Sequence, residues 1–400
     1  MLHWAARYNI FCFLDDQGYA GKHNSFDCVL AAGATRSINV SGKDAFTSLQ
    51  KFYDLKPSWL FGHFGYSCKT AAKNVNGDFE PGFFFEPEVL LRLTGSTLLI
   101  ETGENAEKIF KVIEQATAFE LQGSKQHAIQ ETISKEGYIQ IIDAIKDHIK
   151  RGDCYEINFC QEFFSEGELD PLTVFLRLQQ LSPNPFSAFY KVNNNFCLCA
   201  SPERFLKKEK DKLISQPIKG TSKRNSDAGS DALSRAYLAS SEKEKSENIM
   251  VVDLVRNDLS RVCEEGSVQV EEMFGIYPYP QVYQMISTIT GTMQKELLFT
   301  NAIEACFPMG SMTGAPKIKV MELIQAFEEK DRGLFSGAIG YIDPQTNFDF
   351  NVVIRSIFYN AISKRISFWA GSGITFYSDA ASEYDECLAK VAAIKSILEG

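Results

Sequence analysis

The chain has 400 residues, 44% of them hydrophobic and 12% aromatic, enough to bury a large core in one to three domains. A net charge of −10 argues against nucleic acid or an anionic membrane surface as the main partner, while leaving room for a local basic pocket. The N-terminus lacks a signal-peptide apolar run, no stretch approaches the ~20 apolar residues of a membrane span, and the ten cysteines are scattered without CxxC pairs, which reads as reduced core thiols in a cytoplasmic protein.

In chain order, residues 1–116 read as short aromatic strands, Ile10–Leu14, Cys28–Ala32, Trp59–Tyr66, Gly82–Phe85 and Ser96–Glu101, followed by a helix from about Asn105 to Gln115. Residues 117–134 are polar and aperiodic, as a linker would be. The expected organisation is an N-terminal subdomain over 1–120, a linker over 121–134 and the main domain over 135–400. All five histidines lie before residue 150. Chemistry in the later part then rests on carboxylates, Lys or Tyr, and any metal there is a hard, oxygen-liking ion.

Tyr138, Ile141, Ile142, Ile145 and Ile149 fall on one face of a helix over 135–151, which Gly152-Asp153 ends. Cys154–Phe164 then alternates, with Tyr155, Ile157 and Phe159 on one side and Glu156, Asn158 and Cys160 on the other, a strand with one polar face. After a helix near Leu172–Leu181, Phe186–Val192 and Phe196–Ala200 form a hairpin whose second strand delivers the Ser201-Pro-Glu203 turn. Leu206–Leu213, rich in lysine (Lys207, Lys208, Lys210, Lys212), reads as a solvated hairpin tip that brings Glu203 and Lys219 together at its base. An acid facing an amine is a usable acid/nucleophile pair if the amine's pKa comes down from ~10.4. On spacing alone, an ion pair across an ordinary turn is the plainer account.

A single long helix is expected from Asp231 to about Cys263, charged at first and buried over Ile249–Val255, with Glu247 at the boundary and Arg256-Asn-Asp258 inside it. Strands follow at Val268–Val270 and Val282–Met293. Pro308–Lys317 opens a helix running to about Glu328, with Thr313 as candidate N-cap and the glycines as a weak anion-binding signal. Ser336–Ile342, Phe350–Tyr359 and Ile366–Phe376 read as an antiparallel meander. In its second strand Arg355 interrupts an apolar run and needs an anionic partner, and in its third Gly371-Ser-Gly373 admits a close approach to the backbone. The last helix, Ala381–Leu398, carries Glu383, Glu386 and Lys390 on one face, where a surface salt bridge is the common outcome. Carboxylates without histidine suit Mg²⁺ with waters retained, and Arg355, Lys390 and the ion together suit a small polycarboxylate.

Five motifs in this order, Ser201-Pro-Glu-Arg-Phe205, Pro217-Ile-Lys-Gly-Thr221, Glu247-Asn-Ile-Met-Val-Val-Asp-Leu-Val-Arg-Asn-Asp258, Gly310-Ser-Met-Thr-Gly-Ala-Pro-Lys317 and Glu383-x-x-Glu-x-x-x-Lys390, resemble those of the chorismate-utilising enzymes over roughly residues 135–398. The first 120 residues resemble them only loosely, through Trp59-Leu-Phe-Gly-His-Phe-Gly-Tyr66. The resemblance implies an α+β fold like anthranilate synthase component I: two large antiparallel sheets in a sandwich, helices outside, the active site in the central cleft. It implies Mg²⁺ on Glu247 and Glu386 with Glu383 close by, and Glu203 as the acid for the departing C4 hydroxyl. Arg355 would hold the enolpyruvyl carboxylate, assisted by Lys390 and the Gly371 and Gly373 amides, with Thr221 also in the substrate-binding set.

Within the family, anthranilate synthases usually carry Ala where this chain has Lys219, whereas aminodeoxychorismate synthases of one type carry Lys. Isochorismate and salicylate synthases place a base Lys where this chain has Glu156. The resemblance therefore implies amination of chorismate at C4, with Lys219 attacking C2 and ammonia arriving from a separate glutamine amidotransferase subunit, for 4-aminobenzoate and folate synthesis. The alternatives are anthranilate synthase component I and, outside the enzymes, an inactive subunit that only docks a glutaminase. No glutaminase or pyruvate-eliminating lyase fits within the chain, and the family's tryptophan-binding motif is not recognisable where Cys28-Val-Leu-Ala-Ala32 stands.

Overall fold

The computed structural model describes residues 1–19, 22–69, 79–116 and 125–400. Among them run two antiparallel sheets, of eleven and ten strands. The larger is ordered Gly314–Ala315, Glu156–Glu166, Arg365–Ile374, Ser356–Asn360, Asn195–Ser201, Phe186–Val192, Ile10–Asp15, Cys28–Ala32, Val89–Thr94, Thr97–Thr102, with Gln130–Glu131 also on Glu156–Glu166. The smaller is ordered Ile218–Lys223, Val282–Thr292, Lys212–Gln216, Arg204–Glu209, Phe348–Asn351, Ala338–Ile342, Leu60–Phe64, Gly82–Glu86, Arg36–Asn39, with Gln269–Pro278 also on Val282–Thr292.

The period-two rule explains why the central strands of the larger sheet, Ile10–Asp15, Cys28–Ala32 and Asn195–Ser201, are mostly apolar. Cys12, Val29, Ala31, Cys197 and Cys199 point toward the other sheet, into a core shared with Phe61, Leu206, Leu213 and Phe350. Their neighbours Phe11, Phe13, Leu30 and Leu198 point the opposite way, against Phe175 and Leu178 of one helix and Val391 and Ile394 of the C-terminal helix. A sheet covered on both faces has no polar side to show, so the alternation seen in one-sided sheets is absent. All ten cysteines are free and buried, as core thiols should be. No described helix is long and apolar enough to cross a membrane.

Strands from the first 116 residues enter both sheets: Ile10–Asp15 pairs with Phe186–Val192, and Leu60–Phe64 pairs with Ala338–Ile342. A division at 1–120, 121–134 and 135–400 therefore follows no break in either sheet. Part of the expected linker, residues 117–124, lies outside the described residues, and Gln130–Glu131 is a short strand.

Other local expectations change for identifiable reasons. The single helix after Asp231 is two, Ala228–Ser240 and Glu242–Ser260. Ser241 breaks it: its backbone is extended and its hydroxyl accepts the Glu244 N–H, an N-cap hidden within a charged run. The helix Ala45–Leu55 and the strands Arg36–Asn39 and Val89–Thr94 were not anticipated. Thr313 is no N-cap; its hydroxyl donates back to Met309 O and Gly310 O, and the helix starts only at Lys317, with Pro316 at the cap position. The expected strand Phe350–Tyr359 is two strands in different sheets. Phe348–Asn351 belongs to the smaller, Ser356–Asn360 to the larger, and the chain crosses between them at Val352–Arg355. Arg355 makes the corner in the left-handed region, at φ 53°, which costs a non-glycine residue on the order of 1 kcal/mol.

Candidate active site

Lys219 is aimed by a fault in its strand. Ile218–Lys223 pairs with Val282–Thr292, but the register slips between Ile218 and Thr221, and Gly220 supplies the positive φ (95°) such a bulge requires. Lys219 Nζ donates to Glu156 Oε1 at 2.5 Å, with only 11% of the lysine side chain and 2% of the glutamate exposed. Gly373, across from them on the Arg365–Ile374 strand, leaves room for the tips of both side chains. A Cβ there would lie 2.7 Å from Glu156 Oε1 and 2.8 Å from Lys219 Nζ.

The pair sits among further carboxylates. Burial pushes the Glu203 carboxyl up to about 7, against the pull of the Ser311 hydroxyl, the Lys219 ammonium and the Ile218 N–H, so near neutrality it keeps much of its proton. Burial also acts to lower the Lys219 pKa, but Glu156, Glu247 and Glu203 together outweigh it and hold the amine protonated. The required downward shift of Lys219 is thus reversed, because the neighbours that make the site polar are all acids. The hairpin tip also differs from expectation: Lys207 is buried and donates to His23 O and Ser25 Oγ, and Lys208 to Thr346, so both are structural.

Two helices bring carboxylates at matching i, i+3 spacing: Glu244 and Glu247 on Glu242–Ser260, Glu383 and Glu386 on Ala380–Glu399. Lys243 lies in the field of all four. Burial raises Glu247 to about 7, with Glu156 and Glu244 adding and Lys219 and Lys243 opposing. Burial also works against ionisation of Glu386, yet Lys390, bonded at 2.7 Å, with Lys243 and Lys219, keeps its pKa below the usual value. Among the described residues no three His, Cys, Asp or Glu side chains converge as a closed metal cage. An all-oxygen set in which a buried carboxyl is crowded by other acids fits Mg²⁺, which takes one or two carboxylates and keeps water and ligand oxygens for the rest. Glu244 and Lys243 escaped sequence reading, although the Glu-x-x-Glu spacing repeated in both helices was a usable signal.

A third part of the cluster suits an anion. Arg355 is half-buried, burial lowers its pKa with only Glu386 opposing, and its guanidinium has no hydrogen bond or ion pair among the described residues. Opposite the glycines, Cys160 N donates to Glu328 Oε1 and Asn158 N to Thr313 O, both away from the Arg365–Ile374 strand. Gly371 and Gly373 are therefore in non-hydrogen-bonded pairs and turn their own N–H and C=O to the opposite edge. That edge is open there, since pairing with Ser356–Asn360 reaches only Phe368 before the chain turns off at Arg355. Lys390 Nζ already occupies Gly371 O at 2.8 Å. The glycine at 371 is itself demanded by the neighbouring strand, for a Cβ would fall 1.9 Å from Phe159 O. Beneath, the buried Glu328–Arg332 pair holds Asn158 O, Cys160 N and Met312 O, fixing the strand that carries Glu156.

A family model described as chorismate binding enzyme matches residues 12–396. The chain belongs to this family. Aminodeoxychorismate synthase component 1 of Escherichia coli (strain K12) is 38% identical over 270 residues, 68% of this chain and 59% of that protein. The chain thus spans about 59% of that relative's length. An anthranilate synthase component I-like protein of Synechocystis is 31% identical over 355 residues, 86% of this chain and 73% of its own. Among solved structures, anthranilate synthase component I from Streptococcus pneumoniae TIGR4 superposes with a TM-score of 0.80 at 24% identity, covering 94% of this chain and 95% of that one. The isochorismate synthase MenF of Escherichia coli gives 0.81 at 18%, covering 99% and 91%. The sandwich with outer helices is therefore the fold expected of a chorismate-binding enzyme.

Of the residues predicted for such an enzyme, Glu203, Lys219, Glu247, Glu383, Glu386, Arg355 and Lys390 fall in one electrostatic cluster, with Gly371 and Gly373 at its edge. Thr221 does not join it by any hydrogen bond among the described residues; it lies past the bulge, opposite Gln284, and is exposed. Asp258 and Arg256 are structural. Asp258 is buried against Lys317 at 2.5 Å, and Arg256 pairs with Asp253 on the surface. If Arg355 takes a substrate carboxylate, Arg355→Gln should raise the chorismate KM by about 100-fold, roughly 3 kcal/mol for an unpaired buried anion, with kcat much less affected. Steady-state kinetics measures this.

Proposed function

We propose that this protein acts as an aminodeoxychorismate synthase component I, aminating chorismate at C4 to give 4-amino-4-deoxychorismate, the precursor of 4-aminobenzoate for folate. The feature that supports this reading is the buried Lys219 amine in the field of Glu203, whose carboxyl burial pushes up to about 7, so that it keeps much of its proton near neutrality. Glu203 gives its proton to the departing C4 hydroxyl, and Lys219 forms a bond to C2. Ammonia, delivered by a separate glutamine amidotransferase subunit, then adds at C4 and displaces the lysine. Arg355, Lys390 and the open glycine edge orient the enolpyruvyl carboxylate. When bound to Glu247 and Glu386, with Glu383 assisting, Mg²⁺ supplies charge neutralisation at the ring carboxylate.

The Synechocystis relative, which covers most of the chain, favours anthranilate synthase chemistry as the second reading. Incubation with chorismate, Mg²⁺ and an ammonium salt separates them. A product that becomes 4-aminobenzoate only after a pyruvate-eliminating lyase is added supports C4 amination. Fluorescent anthranilate formed without lyase overturns it.

A further inference from the structure

We propose that Glu156 is the proton acceptor that frees Lys219 for attack, an assignment that rests on the reading of Lys219 as nucleophile given above. A protonated amine has no lone pair, and the Lys219 ammonium touches one hydrogen-bond acceptor among the described residues, Glu156 Oε1 at 2.5 Å. The other acids around it are already committed. Glu203 has to keep its proton to act as acid, Glu247 and Glu386 are the carboxylates suited to the cation, and Glu244 interacts with Lys219 without a bond to it. Glu156 is also unusually free to accept. Its second oxygen, Oε2, is fully buried and has no donor among the described residues, so the carboxylate keeps an unsatisfied acceptor. The glycine at 373 leaves the space the pair occupies.

The step balances. An N–H bond of the Lys219 ammonium breaks and the proton passes to Glu156 Oε1. The freed pair forms the N–C2 bond, the two ring double bonds shift, and the C4–O bond breaks. The oxygen departs as water with the Glu203 proton. When ammonia forms the C4–N bond and the lysine leaves, the proton lost by the new ammonium restores Glu203, and Glu156 returns its own to Lys219.

The test uses the full chain with chorismate and Mg²⁺ but no ammonia, following the protein–substrate adduct, chorismate less water, by intact-protein mass. Glu156→Gln should slow adduct formation about 100-fold at pH 7. Because Lys219 would then have to lose its proton to solvent, the ratio of variant to wild-type rates should rise about tenfold per pH unit above 7. Loss of the Glu203 proton slows both proteins and cancels in that ratio. A ratio near one, or a reduced ratio that does not change with pH, overturns the role of Glu156. Glu156→Asp, which keeps a carboxylate, should lose less and show a constant ratio; if it behaves like Gln, the assignment also falls. No adduct in the wild type would instead remove Lys219 as nucleophile, a separate and earlier failure.

Discussion

Lys219→Ala is expected to lower C4 amination at least about 10³-fold, the scale of losing a group that makes a covalent bond to the substrate. The readout is chromatography of the product formed from chorismate, Mg²⁺ and ammonium. The physical setting makes a second effect unavoidable. Glu156 is 2% exposed and would be left as a buried carboxylate without its cation, a change that costs roughly 3–5 kcal/mol when one partner of a buried pair is removed. Thermal unfolding of Lys219→Ala alongside the double variant Lys219→Ala/Glu156→Gln separates the two. The double variant should recover stability and remain inactive. Activity near the wild-type level in either protein would take Lys219 out of the chemistry.

Glu203→Gln is expected to lower kcat about 10²–10⁴-fold, the range for losing a general acid, and to change the pH profile. The sign follows from burial. The carboxyl is pushed up to about 7, and only its protonated form can deliver a proton to the leaving hydroxyl. The wild-type rate should therefore decline as pH rises through about 7, and the variant should lack that decline. Replacing the C4 hydroxyl by a better leaving group should rescue the variant selectively. A profile unchanged by the substitution would move the acid role elsewhere.

Most of the strands and helices were legible because each leaves a local mark. Tyr138, Ile142 and Ile145 repeat at helical spacing, and Phe11, Cys12 and Phe13 form the apolar run of a strand buried on both faces. The Ser241 break was not legible because a single capping hydroxyl inside a charged run resembles any helical serine. The sheet switch between Asn351 and Ser356 was hidden for a different reason. An apolar strand reads the same whichever sheet it joins, and nothing local tells which partner lies alongside.

Because all the histidines lie early in the chain, the residue types alone pointed any late-chain chemistry to carboxylates, Lys or Tyr, and the five ordered motifs placed the chain in its family. Tertiary structure decided how those groups act on one another. The bulge at Gly220, the missing side chain at Gly373 and the strand carrying Glu156 come from three distant parts of the chain. Only their meeting turns Lys219 from an amine that must be lowered in pKa into one held protonated beside its own acceptor. Charge–charge interaction depends on distance and on exclusion of water, and neither is written in the order of residues.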